Sequence, residues 1–179
     1  MRSRSRGFSL IELLIVVAII LIIAAIAIPD LLRSRMAANE SSAVGSIRTL
    51  NTAAISYNST YGNGFPPSLA AIGNNGTTTI SCTNAELVDT LLTSGTKSGY
   101  TFILSHGLAA NILNSTSSRC SAGYGYSDGY MVTATPITVG TTGQRSFCSD
   151  SSGVIRFNTQ GTTNAGPSPN CATGDKPLQ

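Results

Sequence analysis

The feature that most constrains how this chain can fold is an apolar run near its N-terminus. Residues 10–28 are all aliphatic except for one carboxylate, Glu12. A helix needs about 20 apolar residues to span a bilayer, so the run predicts a transmembrane helix. Arg2, Arg4 and Arg6 precede it. Because basic residues flank membrane helices on the cytoplasmic side, the rest of the chain is expected outside the cytoplasm.

Three interpretations of this N-terminus remain open on the residues alone. A secretory signal peptide could be cut after the small-x-small triplet 25–27, although its apolar region is typically about 7–15 residues long. A plain membrane anchor would tolerate Glu12, at less than the cost of about 2.5–3.5 kcal/mol at the bilayer centre. Cleavage between Gly7 and Phe8 would instead create an amine at Phe8. This amine would lie one helical turn from Glu12 of its own helix, or within reach of Glu12 on a neighbouring helix. Such an acid and amine could set the register of a helical assembly.

Residues 7–16, with the sequence GFSLIELLIV, strongly resemble the cleavage and methylation motif of type IV prepilins and of the related pseudopilins of type II secretion. The resemblance implies cleavage after Gly7 by a prepilin peptidase, N-methylation of Phe8 and a role for Glu12 in assembly. It also implies a helix kink at Pro29. The similarity ends near residue 60, and the remainder resembles the family only in general architecture.

The function implied by the resemblance is that of a structural subunit of a type IV pilus, a homo-oligomeric helical filament. Its implied partners are prepilin peptidase, the inner membrane and the pilus or secretion assembly machinery. The expected location is the inner membrane, as a single-pass protein with its head outside the cytoplasm, and then an extracellular filament or a periplasmic pseudopilus. Two alternatives remain, a pseudopilin of a type II secretion system and a membrane-anchored periplasmic binding domain. The last of these would not need the combination of Gly7, Phe8 and Glu12.

Four segments are expected along the chain. They are a leader (residues 1–7), a transmembrane and assembly helix (8–29), an amphipathic continuation of that helix (30–61) and a globular pilin-like head with an antiparallel sheet and a polar C-terminal tail (62–179). The expected fold class is therefore α+β, with a long N-terminal helix packed on a small antiparallel sheet.

The helical continuation carries apolar side chains every three or four residues, at Val44, Ile47, Leu50, Ala54, Tyr57 and Tyr61. This spacing predicts one apolar helical stripe that packs on a sheet. Four polar residues are expected to lie largely off the stripe, namely Arg48, Asn51, Thr52 and Asn58. Gly62 and Gly64 then predict the end of the helix.

The head contains signals for one short helix and four strands. The sequence TNAE at 83–86 matches a capping box and predicts a helix that ends near Gly95. Apolar residues alternate with polar or small ones from Tyr100 and again from Tyr130, which predicts two strands.

A terminal hairpin is expected from residues 146–149 and 153–157, on either side of a polar turn. After Asn158 the chain is polar and rich in turn residues, including Gly166-Pro167-Ser168-Pro169. We expect a loop or a loosely held tail there.

The cysteines are Cys82, Cys120, Cys148 and Cys171. None forms a CxxC pair, so a zinc site is not expected. An even number of cysteines in an exported domain favours disulfide bonds, and four allow three pairings. Cys82–Cys120 with Cys148–Cys171 is favoured, because the second bond would tie the polar tail to the terminal hairpin. The other pairings remain open.

Catalytic, metal and nucleic-acid chemistry find little support in the residues. His106 is the single histidine, and it has no spaced acid or nucleophile around it. Asp128 and Asp150 do not lie in a dense run of oxygen ligands, so they are expected to be turn residues. Only 11% of residues are charged and the net charge is +3, which leaves no basic patch for phosphate binding once the leader is removed. We expect no enzyme activity, cofactor, bound metal or nucleic-acid partner.

Overall fold

The computed structural model describes residues 8–62, 64–74, 76, 79–106, 120, 129–162 and 170–178. The chain divides into two compact units, Met1–Arg35 and Met36–Gln179. Helix α1, Leu10–Tyr61, contributes residues to both units, whereas the strands of the described chain all belong to the second unit.

In the first unit, α1 begins at Leu10 and continues through Pro29. Proline has no N–H group, so the helical hydrogen bond to the carbonyl of Ala25 is missing at this point. A kink at Pro29 remains a prediction. By length and composition α1 can cross a membrane, and none of its most apolar stretch is buried within the protein. These side chains therefore need lipid or other protein to cover them.

In the second unit, α1 packs its apolar stripe into the core of the head. The stripe residues from Ile47 to Tyr61 are buried, and Val44 is partly buried against the same core. The prediction was wrong for Asn51, which is also buried. Its amide Nδ2 donates a hydrogen bond to Ser149 Oγ at 2.8 Å, so a polar contact on the sheet accounts for its position.

The sheet has six antiparallel strands, whose order across the sheet is the same as their order along the chain. They are β1 Thr96–Lys97, β2 Tyr100–His106, β3 Tyr130–Pro136, β4 Ser146–Asp150, β5 Ile155–Asn158 and β6 Lys176–Pro177. The four predicted strands correspond to β2–β5. Strands β1 and β6 were not predicted, and they form the two edges. The expected α+β arrangement of a long N-terminal helix and an antiparallel sheet is confirmed.

Two short helices connect α1 to the sheet, α2 Leu69–Ile72 and α3 Thr90–Thr93. The capping box predicted at 83–86 was wrong. The helix α3 is capped instead by Asp89, whose carboxylate accepts the N–H of Leu92 at 2.7 Å. Glu86 has a positive φ of 52°, which is incompatible with a place inside a helix. The chain at 83–86 therefore lies in a loop, and the helix ends at Thr93, close to the predicted Gly95.

The C-terminal segment 170–178 is more ordered than the predicted loose tail. Strand β6 pairs with β5, and the N–H of Leu178 donates to the carbonyl of Ile155 at 2.8 Å. Along an antiparallel strand, residues that hydrogen-bond to the neighbouring strand alternate with residues whose backbone groups point away from it. Because Leu178 bonds to β5, the backbone of the preceding residue, Pro177, points away from β5, toward the outer edge of the sheet. The predicted turn at 166–169 lies outside the described residues.

Candidate assembly segment and its supports in the head

Phe8 is the first residue that the structure describes, so Gly7 lies outside the described residues. Ser9 is the residue before α1, and its carbonyl accepts the N–H of Leu13 at 3.3 Å. The N–H of Ser9 in turn donates to Glu12 Oε2 at 2.9 Å. A glutamate at the third helical position that binds the backbone N–H of the cap residue is one half of a capping box. In the single chain, Glu12 therefore stabilises the start of its own helix.

Glu12 keeps acceptor capacity after this contact. Its side chain is exposed, and among the described residues only the N–H of Ser9 binds its carboxylate. An ionised carboxylate has two oxygens and about four lone pairs. Charged donors make the strongest hydrogen bonds to such a group. One oxygen of Glu12 can therefore receive an ammonium from another chain while the other oxygen caps the helix.

The surroundings of Glu12 would make such a contact strong. Phe8 is 77% exposed, Leu10 73% and Leu14 60%. When lipid or neighbouring copies cover these side chains, water is excluded and the attraction between opposite charges increases. An acid left without a charged donor in that environment would be costly.

In the head, Glu40 joins α1 to the segment that leads into β4. Its Oε1 accepts the N–H groups of Gln144 at 2.9 Å and Arg145 at 3.0 Å. Its Oε2 accepts a hydrogen bond from Arg145 Nε at 2.7 Å and lies 2.7 Å from Nη2 of the same guanidinium. Burial by itself would raise the pKa of Glu40, but these hydrogen bonds and the Arg145 charge together lower it below its usual range.

The guanidinium of Arg145 also lies over two aromatic rings. Its central carbon lies 5.7 Å from the ring centroid of Phe147 and 5.4 Å from that of Phe157. A cation over an aromatic face is attracted by the ring quadrupole. Glu40, Arg145 and the two rings thus fix α1 to strands β4 and β5.

The structure pairs Cys82 with Cys120 and Cys148 with Cys171, the two pairs favoured by the sequence. The second bond joins β4 to the C-terminal segment. Its sulfurs pack with the buried side chain of Met131 on β3. The bond therefore holds the C-terminal segment, which continues into β6, against the sheet.

Asp150 adds a polar contact beside this disulfide bond. Its Oδ1 accepts the N–H of Ser152 at 3.0 Å, and its Oδ2 accepts the N–H of Cys171 at 3.2 Å. Burial raises the pKa of Asp150, but the hydrogen bonds from Ser152 and Cys171 and the nearby Arg156 charge lower it overall. Asp150 is thus a turn residue that also ties the tail to the hairpin.

No cluster suited to a metal ion was found in the described part of the chain, where three or more His, Cys, Asp or Glu side chains never come together. Asp128 lies outside the described residues. His106 is the last residue of β2, opposite Tyr130 on β3. A half-buried histidine at the end of a strand offers no nucleophile or general-base pair on its own.

Three functional contacts were missed by the sequence analysis. The pair Glu40–Arg145 is separated by 105 residues along the chain, and nothing local marks either residue as a partner. Asn51 was assigned to the solvent side, because the spacing of hydrophobic residues does not show that an amide side chain is buried. The contact of Glu12 with Ser9 could have been found, since S-x-x-E before an apolar run is a capping signature.

Comparison with known proteins gives two matches. Residues 2–28 match the family described as "Prokaryotic N-terminal methylation motif". The chain is also 50% identical over 54 residues to the "Type IV major pilin protein PilA" of Myxococcus xanthus (strain DK1622). That match covers 30% of this chain and 24% of the relative, so the chain spans about a quarter of the relative's length. No solved structure matches.

Proposed function

We propose that this chain, which carries the N-terminal methylation motif of the type IV pilin family, is a structural subunit of a type IV pilus filament. The observation that carries the proposal is the segment around Glu12. It combines a matched methylation motif, an uncovered apolar helix and one carboxylate with an oxygen left for another donor. A filament core of packed apolar helices would cover that helix, and a neighbour's amine would bind that oxygen.

Processing at Gly7 prepares the subunit for this role. Before cleavage, the leader arginines hold the N-terminus on the cytoplasmic side. Cleavage by a prepilin peptidase removes them and leaves an amine at Phe8, which is then N-methylated. A methylated secondary amine stays protonated at neutral pH and remains a donor to a carboxylate.

The pilus is proposed on the printed name of the relative, a type IV major pilin, which matches this chain over 54 residues. A pseudopilin is the outcome to be distinguished by location. Under the proposal, immunogold electron microscopy shows filaments of this subunit outside the cell, and shearing releases them. Subunits confined to the periplasm, in cells that fail to secrete an exoprotein without this chain, would indicate the pseudopilin role instead.

Processing is tested by intact mass analysis of the membrane-extracted protein. The expected mature chain starts at N-methylated Phe8. Gly7→Leu should leave the uncut precursor in the membrane, because a bulky side chain before the scissile bond obstructs the peptidase site; Gly7→Ala is the matched control and should be cut. A mature chain beginning at Ile28 would contradict the proposal and indicate a signal peptide.

A further inference from the structure

Two arginines follow the apolar span of α1 at its C-terminal end. Arg33 and Arg35 are both exposed, and α1 continues through them without a break. Neither takes part in the ion pairs found among the described residues. Their charges therefore remain available to a ligand outside this chain.

The length of the span brings both arginines to the level of lipid phosphates. A rise of 1.5 Å per residue gives about 35 Å from Leu10 to Arg33 and about 38 Å from Leu10 to Arg35. The hydrocarbon core of a bilayer is about 30 Å thick, and each headgroup layer adds about 5–8 Å. An average helix tilt of about 20° shortens these rises by only about 2 Å. With Leu10 at one boundary of the hydrocarbon, Arg33 and Arg35 therefore reach the headgroup layer at the other boundary.

The acids of the first unit do not cancel these charges. They are Glu12, which lies near the other end of the span, and Asp30. Asp30 precedes Arg33 by three residues, so it lies on the same side of the helix, about one turn closer to the hydrocarbon. Neither ion pair of the described residues includes it. Two arginines and one aspartate leave the segment 30–35 with a net charge of +1, so Asp30 weakens the attraction to an anion without removing it.

We infer that Arg33 and Arg35 bind the phosphate groups of phospholipids in the leaflet at the C-terminal end of the span. Residues two apart on a helix project about 200° from each other, so the two guanidinium groups contact lipids on opposite sides of α1. Helical side chains lean toward the N-terminus of their helix, which directs both of them back toward the bilayer. A guanidinium matches phosphate with paired hydrogen bonds. Basic anchors at an interface help to set the tilt of a helix, so these contacts fix how α1 lies in the membrane.

The inference rests on the membrane insertion in the proposed function, and it gives leader cleavage a physical consequence. Before cleavage, arginines flank both ends of the span. Removal of Arg2, Arg4 and Arg6 leaves Arg33 and Arg35 as the arginines of the segment 8–35. A processed subunit that leaves through the nearer leaflet exchanges phosphate for water at these two side chains. An uncut subunit would have to draw three leader arginines through the hydrocarbon, where each charge is costly.

Solid-state NMR tests the contact in the processed protein, reconstituted in gel-phase vesicles of phosphatidylcholine and phosphatidylglycerol. The Cζ atoms of arginine are labelled with ¹³C, and dipolar dephasing by the ³¹P of the lipid identifies guanidinium groups in contact with a phosphate. The sequence has nine arginines and the leader holds three of them, which leaves six. We expect the lipid phosphorus to dephase the signal of two of these six.

Three variants assign the dephased signal to its residues. Arg35→Gln should halve it, and Arg33→Gln combined with Arg35→Gln should abolish it. Arg48→Gln is the matched control, because it also removes one exposed arginine of α1, but from the part of the helix that belongs to the second unit. It should leave the dephased signal at its wild-type size.

Flotation of the vesicles on a density gradient separates the two claims. The phosphate inference alone is overturned if the processed protein floats with the vesicles but the double variant keeps the wild-type dephasing. The same conclusion follows if Arg48→Gln loses as much of the signal as Arg35→Gln. If the processed wild-type protein does not float with the vesicles, the membrane insertion in the proposed function and the phosphate inference both fall.

Discussion

Glu12 has two separable tasks at the residue scale. In the single chain it accepts the N–H of Ser9 and caps its own helix. In a filament it is proposed to accept the amine of a neighbouring Phe8. The first task needs only a hydrogen-bond acceptor, whereas the second needs a negative charge.

Glutamine at position 12 distinguishes these tasks, because its carbonyl oxygen can still cap the helix. We expect Glu12→Gln and Glu12→Ala to insert in the membrane and to be cleaved, yet to yield few filaments. An unpaired amine in an apolar core costs several kcal/mol, on the order of 3–5. The measurement is filament yield by shearing and electron microscopy in cells that lack the wild-type subunit. Normal yield from Glu12→Gln would assign Glu12 to capping alone.

The stability of the head should depend on pH through Glu40, and the lowered pKa of Glu40 gives the sign of this dependence. A carboxyl with a lowered folded-state pKa stabilises the fold above its unfolded pKa of about 4.3, and this contribution is lost as the pH falls through the folded value. We expect Glu40→Gln to reduce the free energy of unfolding by about 2–3 kcal/mol at pH 7. The difference from wild type should shrink progressively below about pH 4.

Denaturant unfolding of the detergent-solubilised protein, followed by tyrosine near-ultraviolet circular dichroism across pH 3–7, measures this difference. Thr52→Val is a suitable control, since Thr52 is an exposed α1 residue away from the ion pair. A difference that stays constant down to pH 3 would show that the Glu40 charge does not stabilise the fold.

At the element scale, the disulfide bond between Cys148 and Cys171 determines how firmly β6 is held. Strand β6 has two residues, too few to be stable by backbone pairing alone. The bond closes a chain separation of 23 residues, which in the chain-entropy account stabilises the fold by about 3 kcal/mol.

We therefore expect the double variant Cys148→Ala, Cys171→Ala to lose about 3 kcal/mol of unfolding free energy. The loss should be accompanied by local release of β6. Hydrogen exchange should accelerate more at the N–H of Leu178, which bonds to Ile155, than at the N–H of Phe102, which bonds to Gly95, because Leu178 also gains a local route of opening. Equal acceleration at both amides would show that the loss is global only and that β6 is not released locally.

The elements that were predicted correctly are those with a repeating pattern. Alternating apolar residues from Tyr100 to Leu104 and from Tyr130 to Ala134 predicted β2 and β3, and three-to-four spacing predicted the stripe of α1. The edge strands have two residues each, so they contain no period to recognise. The capping box predicted at 83–86 was wrong because a four-residue pattern carries little information. The backbone geometry of Glu86, which the sequence does not reveal, places these residues in a loop.

At the scale of the whole molecule, the second unit contains its own core. The segment of α1 from Met36 to Tyr61 and strands β2–β5 supply most of that core, and residues of α2, α3 and the adjoining loops complete it. The general arrangement was predictable because an apolar span followed by an amphipathic stripe leaves few ways to bury the stripe. The long-range contacts, such as Glu40 with Arg145, were not predictable, because they depend on how the sheet folds back onto the helix.

Truncation tests this division. A chain that starts at Met36 should be soluble and fold with two disulfide bonds, because the residues removed contribute nothing to the described core. A chain that starts at Gly62 should fail to fold, because it loses the buried stripe of α1. Size-exclusion chromatography and near-ultraviolet circular dichroism distinguish these outcomes. A cooperative unfolding transition in the shorter chain would contradict the importance of α1 for the core.

Pro177 has a consequence for how copies of this protein can part from one another. Its backbone points away from β5 at the outer edge of the sheet, and proline has no N–H to offer there. A neighbouring strand therefore cannot extend the sheet from β6 by a regular ladder of main-chain bonds. Copies that meet at this edge are left with contacts between side chains, which can form and break individually.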